Sequence, residues 1–472
     1  MIKRKLIIFA LALIIYPCSI WSQTKHFDTT KYSIADLQED FIFWKNKLEK
    51  KAPLLYLYNT KARTNKYFDS LYRLIDQPMT RVEFYRILAP ANSFLKDQHT
   101  SIFPSTKMFN GVSEFNNLIP VDIEYIENTP VISTNYSSCD LLSIGTEVFS
   151  INGISCRVII ETLLAVNNRD GYSMTLPTEI VNEDFWFYYH LMYDTSESYE
   201  FEIKSADGII ETCTVPGMTM SEMDDQIPSD DYRDPGIYLD LIDSLSTGIL
   251  TISDYSSSTF RENQGKSFKR LIAEHFEVIH EKELEVLIID VRGNGGGHPN
   301  HVKHTLKHLL DHPFELITEL RQVSNATKEA FESRTKKRWY PTLGIGTFKA
   351  GKDNFKGKIY VLMNGESASA TAELVSVLNR YNRAEFIGTM TGGNPVVLSG
   401  SLTKGYWELP NTKLKAFIPN KCQILGSISS NNGLGLIPDH KVELKIEDMG
   451  TDKDLVLDYV IGLIKTNTSS IK

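Results

Sequence analysis

Between residues 33 and 92, apolar positions return every three or four residues, as in "IADLQEDFIFWKNKLEKKAP" and "RVEFYRILAPANSFL". That spacing gathers the apolar side chains on one face of each helix and predicts a small helical domain. Periodicity stops at "LKDQHTSIFP", a polar turn. From about 115 to 218 the pattern becomes one of short strands: "LIPVDIEYI", "TPVISTNY", "GTEVFSING" and "SYEFEIKSADGIIETCTV", with Asn152-Gly153 and Asp207-Gly208 as turn signals between them. This predicts a separate β-rich module. The segment 219–236, "TMSEMDDQIPSDDYRDPG", is acidic, carries prolines and reads as a linker. From about 237 strands alternate with helices: "TGILTISDY", "SFKRLIAEHFEVIHEK", "EVLIIDV", a glycine loop, another helix, "KIYVLMN" and "ATAELVSVLNRYN". Such alternation predicts an α/β layer with partly parallel strands, whose chemistry collects at the carboxyl ends of the strands.

The 472 residues hold 42% hydrophobic and 23% charged side chains, close to the globular average, so composition assigns no function and the motifs must. The start of the chain, "MIKRKLIIFALALIIYPCSIWSQ", has a basic segment (Lys3, Arg4, Lys5), an apolar stretch from Leu6 to Tyr16 and the small Ser22. It reads as a secretory signal peptide over residues 1–22, since the apolar run is shorter than the roughly 20 residues that span a bilayer. The mature protein is therefore expected outside the cytoplasm, periplasmic or extracellular, without stable membrane insertion. Loss of Lys3, Arg4 and Lys5 takes the formal charge from −9 to −12, which argues against nucleic acid as a partner. Cys139, Cys156, Cys213 and Cys422 are widely spaced, show no metal-ligand pattern and read as buried thiols.

Two loops carry candidate chemistry. Asp290-Val291-Arg292-Gly293-Asn294-Gly295-Gly296-Gly297 follows a buried strand, and clustered glycines leave backbone N–H groups uncovered for a phosphate or a developing oxyanion. It fits neither G-x-x-x-x-G-K-[ST] nor G-x-G-x-x-G, which weakens the phosphate reading. The second loop, "VLMNGESASATAE" over 361–373, ends an apolar strand in small residues and offers Ser367, Ser369 and Thr371 as hydroxyl nucleophiles, but no base.

The order "LIIDVRGNGGG", "VLMNGESASATAE", "NRAEFIGTMTGG", "GLGLIPDH" resembles the C-terminal processing (tail-specific) serine peptidases, with their tricorn-core and interphotoreceptor retinoid-binding relatives. Earlier "DQHT" and "GTEVFSING" extend the resemblance to most of the mature chain. In that family the reactive serine lies fourteen residues before the arginine of "gRa" and nineteen before the glycine of "iG". Arg383 and Gly388 both lead back to Ser369, at the turn into a helix beginning near Ala370. Ser367 and Thr371 then read as helix caps. The resemblance also implies an oxyanion hole from the N–H groups of Gly296 and Ala370, with Gly295 as the alternative donor.

Many of these enzymes use a lysine twenty-five residues after the serine. Here that position is Asn394 in "TGGNP", and an amide is no useful base. The tricorn-like branch takes a histidine from far upstream, and His99 of "LKDQHTS" matches its Asp-x-His-Thr pattern; a neutral imidazole suits general-base work. Asp97 is a candidate to orient His99 and a candidate to hold its turn. Glu373, one helical turn beyond Ser369, and Asp439 of "GLGLIPDH" read as structural. His298 is the rival base. His301, His304 and His308 share one helix face without an acidic or cysteine partner cluster, so no metal is expected.

"IGTEVFSINGISC" resembles the hairpin of PDZ domains that accompany these peptidases and bind extended peptides by strand addition. The stretch at the carboxylate-binding position, "NNLIPVDI", lacks a glycine-rich loop. The expected architecture is thus α/β multidomain: an N-terminal helical domain (23–114) delivering His99, a PDZ-like β module (115–218), the linker, and a crotonase- or ClpP-like core (237–465). The resemblance implies an exported serine endopeptidase for unfolded or extended polypeptide, needing no cofactor. A non-catalytic peptide- or ligand-binding protein on the same fold is the alternative, with Asn394 as its support.

Overall fold

In a computed structural model, the protein is described over residues 29–469 except 106–107, 109–110, 113, 205–207, 227–233, 323–344, 401–404 and 452. The signal-peptide segment 1–22 and Asp207 lie outside the described residues.

The N-terminal helices are α1 (Ile34–Lys51), α2 (Lys61–Arg73), α3 (Arg81–Leu88) and α4 (Ala91–Leu95). Ser33 with Asp36, and Thr80 with Glu83, form reciprocal capping boxes that satisfy orphan N–H groups at the starts of α1 and α3. Phe41, Trp44 and Phe68 meet edge to face at the centre of this domain, with the Trp44 and Phe68 rings 5.6 Å apart. The same apolar cluster takes in Phe187, Leu191, Leu414 and Ala416, so the helical domain shares its core with segments far along the chain. One of these is a small sheet in which β1 (Ser101–Phe103) pairs antiparallel with a strand at Lys415–Phe417.

The middle module is a sheet of β2 (Val121–Ile126), β3 (Thr129–Asn135), β4 (Glu147–Ile151), β5 (Ser198–Lys204) and β6 (Ile210–Pro216), in that spatial order. Asn152-Gly153, both at positive φ, turn the chain after β4 as expected. The all-strand reading of this stretch misses three helices: α5 (Cys156–Val166), α6 (Thr175–Glu183) and α7 (Phe185–Met192). In α7 the buried positions Phe185, Phe187, Tyr189, His190 and Leu191 surround the helix, which hides its period, whereas α5 keeps a helical spacing of buried Cys156, Ile159, Ile160, Leu163 and Val166 that the strand reading passes over. The 219–236 stretch begins with a capped helical turn at Met220–Asp224.

The C-terminal part is a sheet of β7 (Ile237–Ile242), β8 (Thr247–Ile252), β9 (Val286–Asp290), β10 (Lys358–Met363), β11 (Glu385–Gly388) and a last strand at His440–Lys441; β7 is antiparallel and the others run parallel. Alternation along each strand sends side chains to opposite faces. Leu287, Ile289, Val361 and Met363 pack against α8 (Phe268–Glu281), α9 (Pro299–Leu309) and α10 (Ala370–Arg380). Ile288, Tyr360 and Leu362 pack against the helix Leu455–Ser469 on the other side. Asp439 accepts the Phe386 N–H at 2.9 Å and closes the sheet beside β11. β9 and β10 are parallel neighbours, so the glycine loop and the serine loop leave the sheet side by side. Among the described residues no helix is long and apolar enough to cross a membrane.

Candidate active site

Ser369 sits between β10 and α10 with φ 53° and ψ −119°, a backbone region that side-chain-bearing residues rarely occupy. Such strain persists where surroundings over-determine it, and here they do. Ser367 Oγ donates to the Val291 carbonyl at 2.8 Å and accepts the Asn364 N–H at 3.1 Å. The Ala368 N–H donates to the Asn294 carbonyl at 3.2 Å. Ser367 is therefore a tie between the two loops rather than a helix cap, while the buried Thr371 hydroxyl has no partner among the described residues.

The glycine loop presses against this turn. Gly296, at φ +107°, has no room for a side chain: a Cβ there would lie 2.6 Å from Ser369 Cβ and 2.7 Å from Ala370 N. Its N–H, however, donates to Asn294 Oδ1 at 3.0 Å, so the donor expected at Gly296 is engaged within its own loop. The N–H groups of Gly295 and Ala370 have no acceptor among the described residues. That of Ala370 is one of the orphan donors in the first turn of α10.

The His99 side is assembled from remote segments. Lys96 closes α4 in the left-handed region. Asp97 then holds a tight turn: Oδ1 accepts the His99 N–H at 3.2 Å and the Ser399 hydroxyl at 2.6 Å, and Oδ2 accepts the Thr100 hydroxyl at 2.6 Å. Asp170 bridges from the middle module, accepting the Gln98 N–H and the Asn394 N–H, both at 3.0 Å. These ties place His99 Nε2 3.1 Å from Ser369 Oγ, across 270 residues of chain. Asp97 fixes the backbone of the turn and leaves the ring alone; His99 Nδ1 is buried without a partner among the described residues. Asn394 turns away from Ser369. Its Oδ1 accepts the Val396 and Val397 N–H groups at 2.8 and 3.0 Å, and its Nδ2 donates to Asn431 Oδ1 at 3.0 Å.

Burial pushes the His99 pKa below the usual imidazole value; the Lys421 cation adds to this and the Asp97 carboxylate opposes it. Burial also lowers Lys421, against the pull of Glu373. Glu373 in turn is pushed up to about 8 by burial, opposed by Lys421 and by a 2.7 Å hydrogen bond from Gln423 Nε2. Asp170 is raised to about 7 by burial and then by the charge of Asp97. Lys421, Gln423 and Asp170 carry no motif, so a reading of loops and strands passes over them; only the sheet pairing of Lys421–Ile424 with Val397–Gly400 brings the first two beneath the serine helix.

His298, His301 and His308 have structural partners. His298 caps α9, its Nδ1 accepting the Asn300 N–H at 3.1 Å. His301 stacks on Phe268 and His308 on Phe276, each with ring centroids 4.5 Å apart, so this helix face packs against α8. Among the described residues no group of three histidine, cysteine or acidic side chains could hold a metal ion. Cys139, Cys156, Cys213 and Cys422 are free thiols.

In front of Ser369 and His99 opens a cavity of about 570 Å³. A hydroxyl on a strained turn, an imidazole kept neutral within hydrogen-bond reach, uncommitted N–H donors and adjoining space together suit attack on a carbonyl.

Residues 246–442 match the model of peptidase family S41. Carboxy-terminal processing protease CtpB of Bacillus subtilis (strain 168) is 30% identical over 165 residues, which cover 33% of this chain and 29% of that protein, so the match spans less than a third of the relative's length. The solved structure of mature CPAF complexed with lactacystin superposes with a TM-score of 0.65 at 13% identity, covering 92% of this chain and 98% of that one. A Parabacteroides merdae protein solved as a candidate peptidase gives 0.50 at 15% identity, covering 92% and 97%. At these identities the two superpositions show a shared α/β multidomain fold. The serine-loop and glycine-loop segments both lie inside the residues that match peptidase family S41, and this part of the chain is similar to a carboxy-terminal processing protease.

Proposed function

We propose that this protein is an exported serine endopeptidase acting on extended or unfolded polypeptide through an acyl-enzyme. The observation that carries the reading is the 3.1 Å separation of His99 Nε2 and Ser369 Oγ. Ser369 Oγ bonds to the peptide carbonyl carbon as its proton passes to His99. The resulting oxyanion is met by the N–H groups of Ala370 and Gly295, or of Gly296 once it leaves Asn294. His99 then gives the proton to the departing amine, and water, deprotonated by the same imidazole, releases the acyl group and restores the serine. The neutral imidazole that this cycle requires is favoured by burial and by Lys421. Asp97, Asp170 and Asn394 serve as positioning groups for the His99 turn, and Glu373, on the buried face of α10, ties that helix to Gln423.

The unpartnered Nδ1 of His99 favours a second reading, a non-catalytic binding protein on this fold. Treatment with a fluorophosphonate followed by peptide mapping separates the two. An adduct on Ser369, absent from Ser369→Ala, is expected; an unlabelled protein would mark a binding module. Export is checked by the N-terminus of the mature protein, expected at Gln23.

A further inference from the structure

The edge at which a PDZ-like sheet adds a peptide strand is partly engaged here by the protein itself. β2 is the edge strand of its sheet. Its Tyr125 N–H donates to Asn182 Oδ1 on α6 at 2.8 Å, and just before it the Ile119 N–H donates to His190 Nε2 on α7 at 2.9 Å. Two backbone donors along this edge, one in β2 and one just before it, are thus taken by the two helices that interrupt the β pattern.

The same two helices form a wall of the cavity beside Ser369. Leu176 and Ile180 of α6 and Phe187 and Tyr188 of α7 line it, facing Tyr85 of α3 and Ile102 of β1. The polar side chains along this lining are spent on holding it together. Asn92 donates to the Ile102 and Val166 carbonyls at 3.0 and 2.9 Å and accepts the Ile102 N–H at 2.8 Å. Asn168 donates to the Gln98 carbonyl at 2.6 Å and to the Ser101 hydroxyl, and Asn167 to the Leu163 carbonyl at 3.0 Å. Gln98 Nε2, buried and without a partner among the described residues, is left to serve a substrate carbonyl.

We infer that this cavity is the specificity pocket for the residue on the acyl side of the scissile bond, and that it selects a large aromatic or branched aliphatic side chain. The inference rests on Ser369 being the nucleophile. At about 570 Å³ the cavity far exceeds the roughly 150 Å³ that holds a benzene ring, so an aromatic side chain enters without repacking. Helices that partly engage one recognition edge therefore build another, beside the reacting atoms. Lys415, exposed on the lining, makes an acidic side chain the sharpest competitor.

The test uses the full mature chain and diphenyl α-aminoalkylphosphonates bearing Phe, Leu, Gly or Glu side chains. In each, a bond forms between Ser369 Oγ and phosphorus, phenoxide leaves, and the serine proton passes through His99. Inactivation by the Phe and Leu reagents is expected to be about 10- to 200-fold faster than by the Gly and Glu reagents, the range over which apolar pockets discriminate. In Ile180→Trp, which narrows the pocket, the Phe-to-Gly rate ratio should fall about 10-fold or more; Leu176→Trp is the second variant. Because the readout is a ratio within one variant, a general loss of reactivity cancels. Fluorophosphonate labelling of Ser369 together with equal phosphonate rates, or a Glu preference, overturns the pocket and leaves the nucleophile standing. Absence of labelling by every reagent overturns both, and an unchanged ratio in the two variants overturns the placement of the pocket.

Discussion

The two sides of the Ser369–His99 contact are built in different ways. The nucleophile side is local: β9, β10 and the loops that follow them are parallel neighbours, and Ser367 and Asn294 tie one loop to the other. The base side is a convergence: His99 owes its place to Asp170 from the middle module and to Ser399 and the strand at Lys415–Phe417 from near the end of the chain. In the proposed mechanism the reactive serine is thus held by neighbouring strands and loops, whereas the proposed base depends on packing between segments far apart in the chain. Damage to the first side should abolish reactivity outright, and damage to the second should weaken or shift it.

The largest effect is expected from Ser369→Ala, which should lower kcat by on the order of 10⁶-fold and abolish fluorophosphonate labelling. Ser367→Ala is the contrast within the same loop. It strands the Val291 carbonyl and the Asn364 N–H, so it should cost about 1–3 kcal/mol in denaturant unfolding while the remaining folded protein still labels. A dead but stable Ser367→Ala, with Ser369→Ala active, would move the nucleophile and dissolve the comparison.

On the base side, His99→Ala should reduce kcat/KM by about 10²- to 10⁴-fold and remove the acid limb of the pH profile. Asn394→Ala should loosen the turn at Val396 and Val397 yet keep that limb, because its side chain faces Asn431 and not the serine. Full activity in His99→Ala would make the helical domain a cover over the site and leave the base to be sought elsewhere.

How much of this is legible in the amino-acid order follows the same division. Ser369, the glycine loop and the alternating core announce themselves because strand ends and small residues are local signals. The oxyanion donors are only half legible: a run of glycines shows that N–H groups are uncovered, but the Asn294 side chain folds back on Gly296, and that choice is made by three-dimensional crowding against Ser369. On the His99 side, "DQHT" singles out the histidine, and of the two roles open to Asp97 in the sequence its hydrogen bonds are those of a turn holder. Nothing marks Asp170, Lys421 or Gln423, whose positions depend on strand register and interdomain packing. Helix α7 escapes for a related reason, since a helix buried on several sides loses its polar face and with it the period that would reveal it, while the period of α5 is legible at Cys156, Ile159, Ile160 and Leu163 and is passed over among the strands around it.

On the buried face of the serine helix, Glu373 offers a smaller test, in stability. Its folded pKa of about 8 lies above the unfolded value near 4.5, so the folded protein holds the extra proton. Stability from this group is full below the unfolded value and is lost as pH rises toward 8. Glu373→Gln keeps a hydrogen-bonding partner for Gln423 and removes the titration. The thermal midpoint of the variant relative to the parent should therefore rise from pH 5 to pH 8, and a difference that stays flat would show that Glu373 is not held protonated by its burial.

The smallest expected effect distinguishes charge from packing around the base. His99 works as a base only when neutral, so kcat/KM falls as pH drops through its folded pKa, and burial with Lys421 places that fall below the ordinary imidazole value. Replacing Lys421 with methionine keeps an apolar stem in the strand and removes the cation, leaving the opposing Asp97 carboxylate in place. The His99 pKa should then rise, and the acid limb should move toward higher pH with little change in the plateau rate. The inactivation rate of a phosphonate, measured against pH, reads the shift directly, since the reagent itself carries no group titrating with the imidazole once its amine is acylated. A limb that stays put in Lys421→Met would mean that burial alone depresses His99, whereas a collapse of the plateau would mean that Lys421 holds the His99 turn in place, making the base side still more dependent on remote packing than the hydrogen bonds of Asp97 and Asp170 indicate.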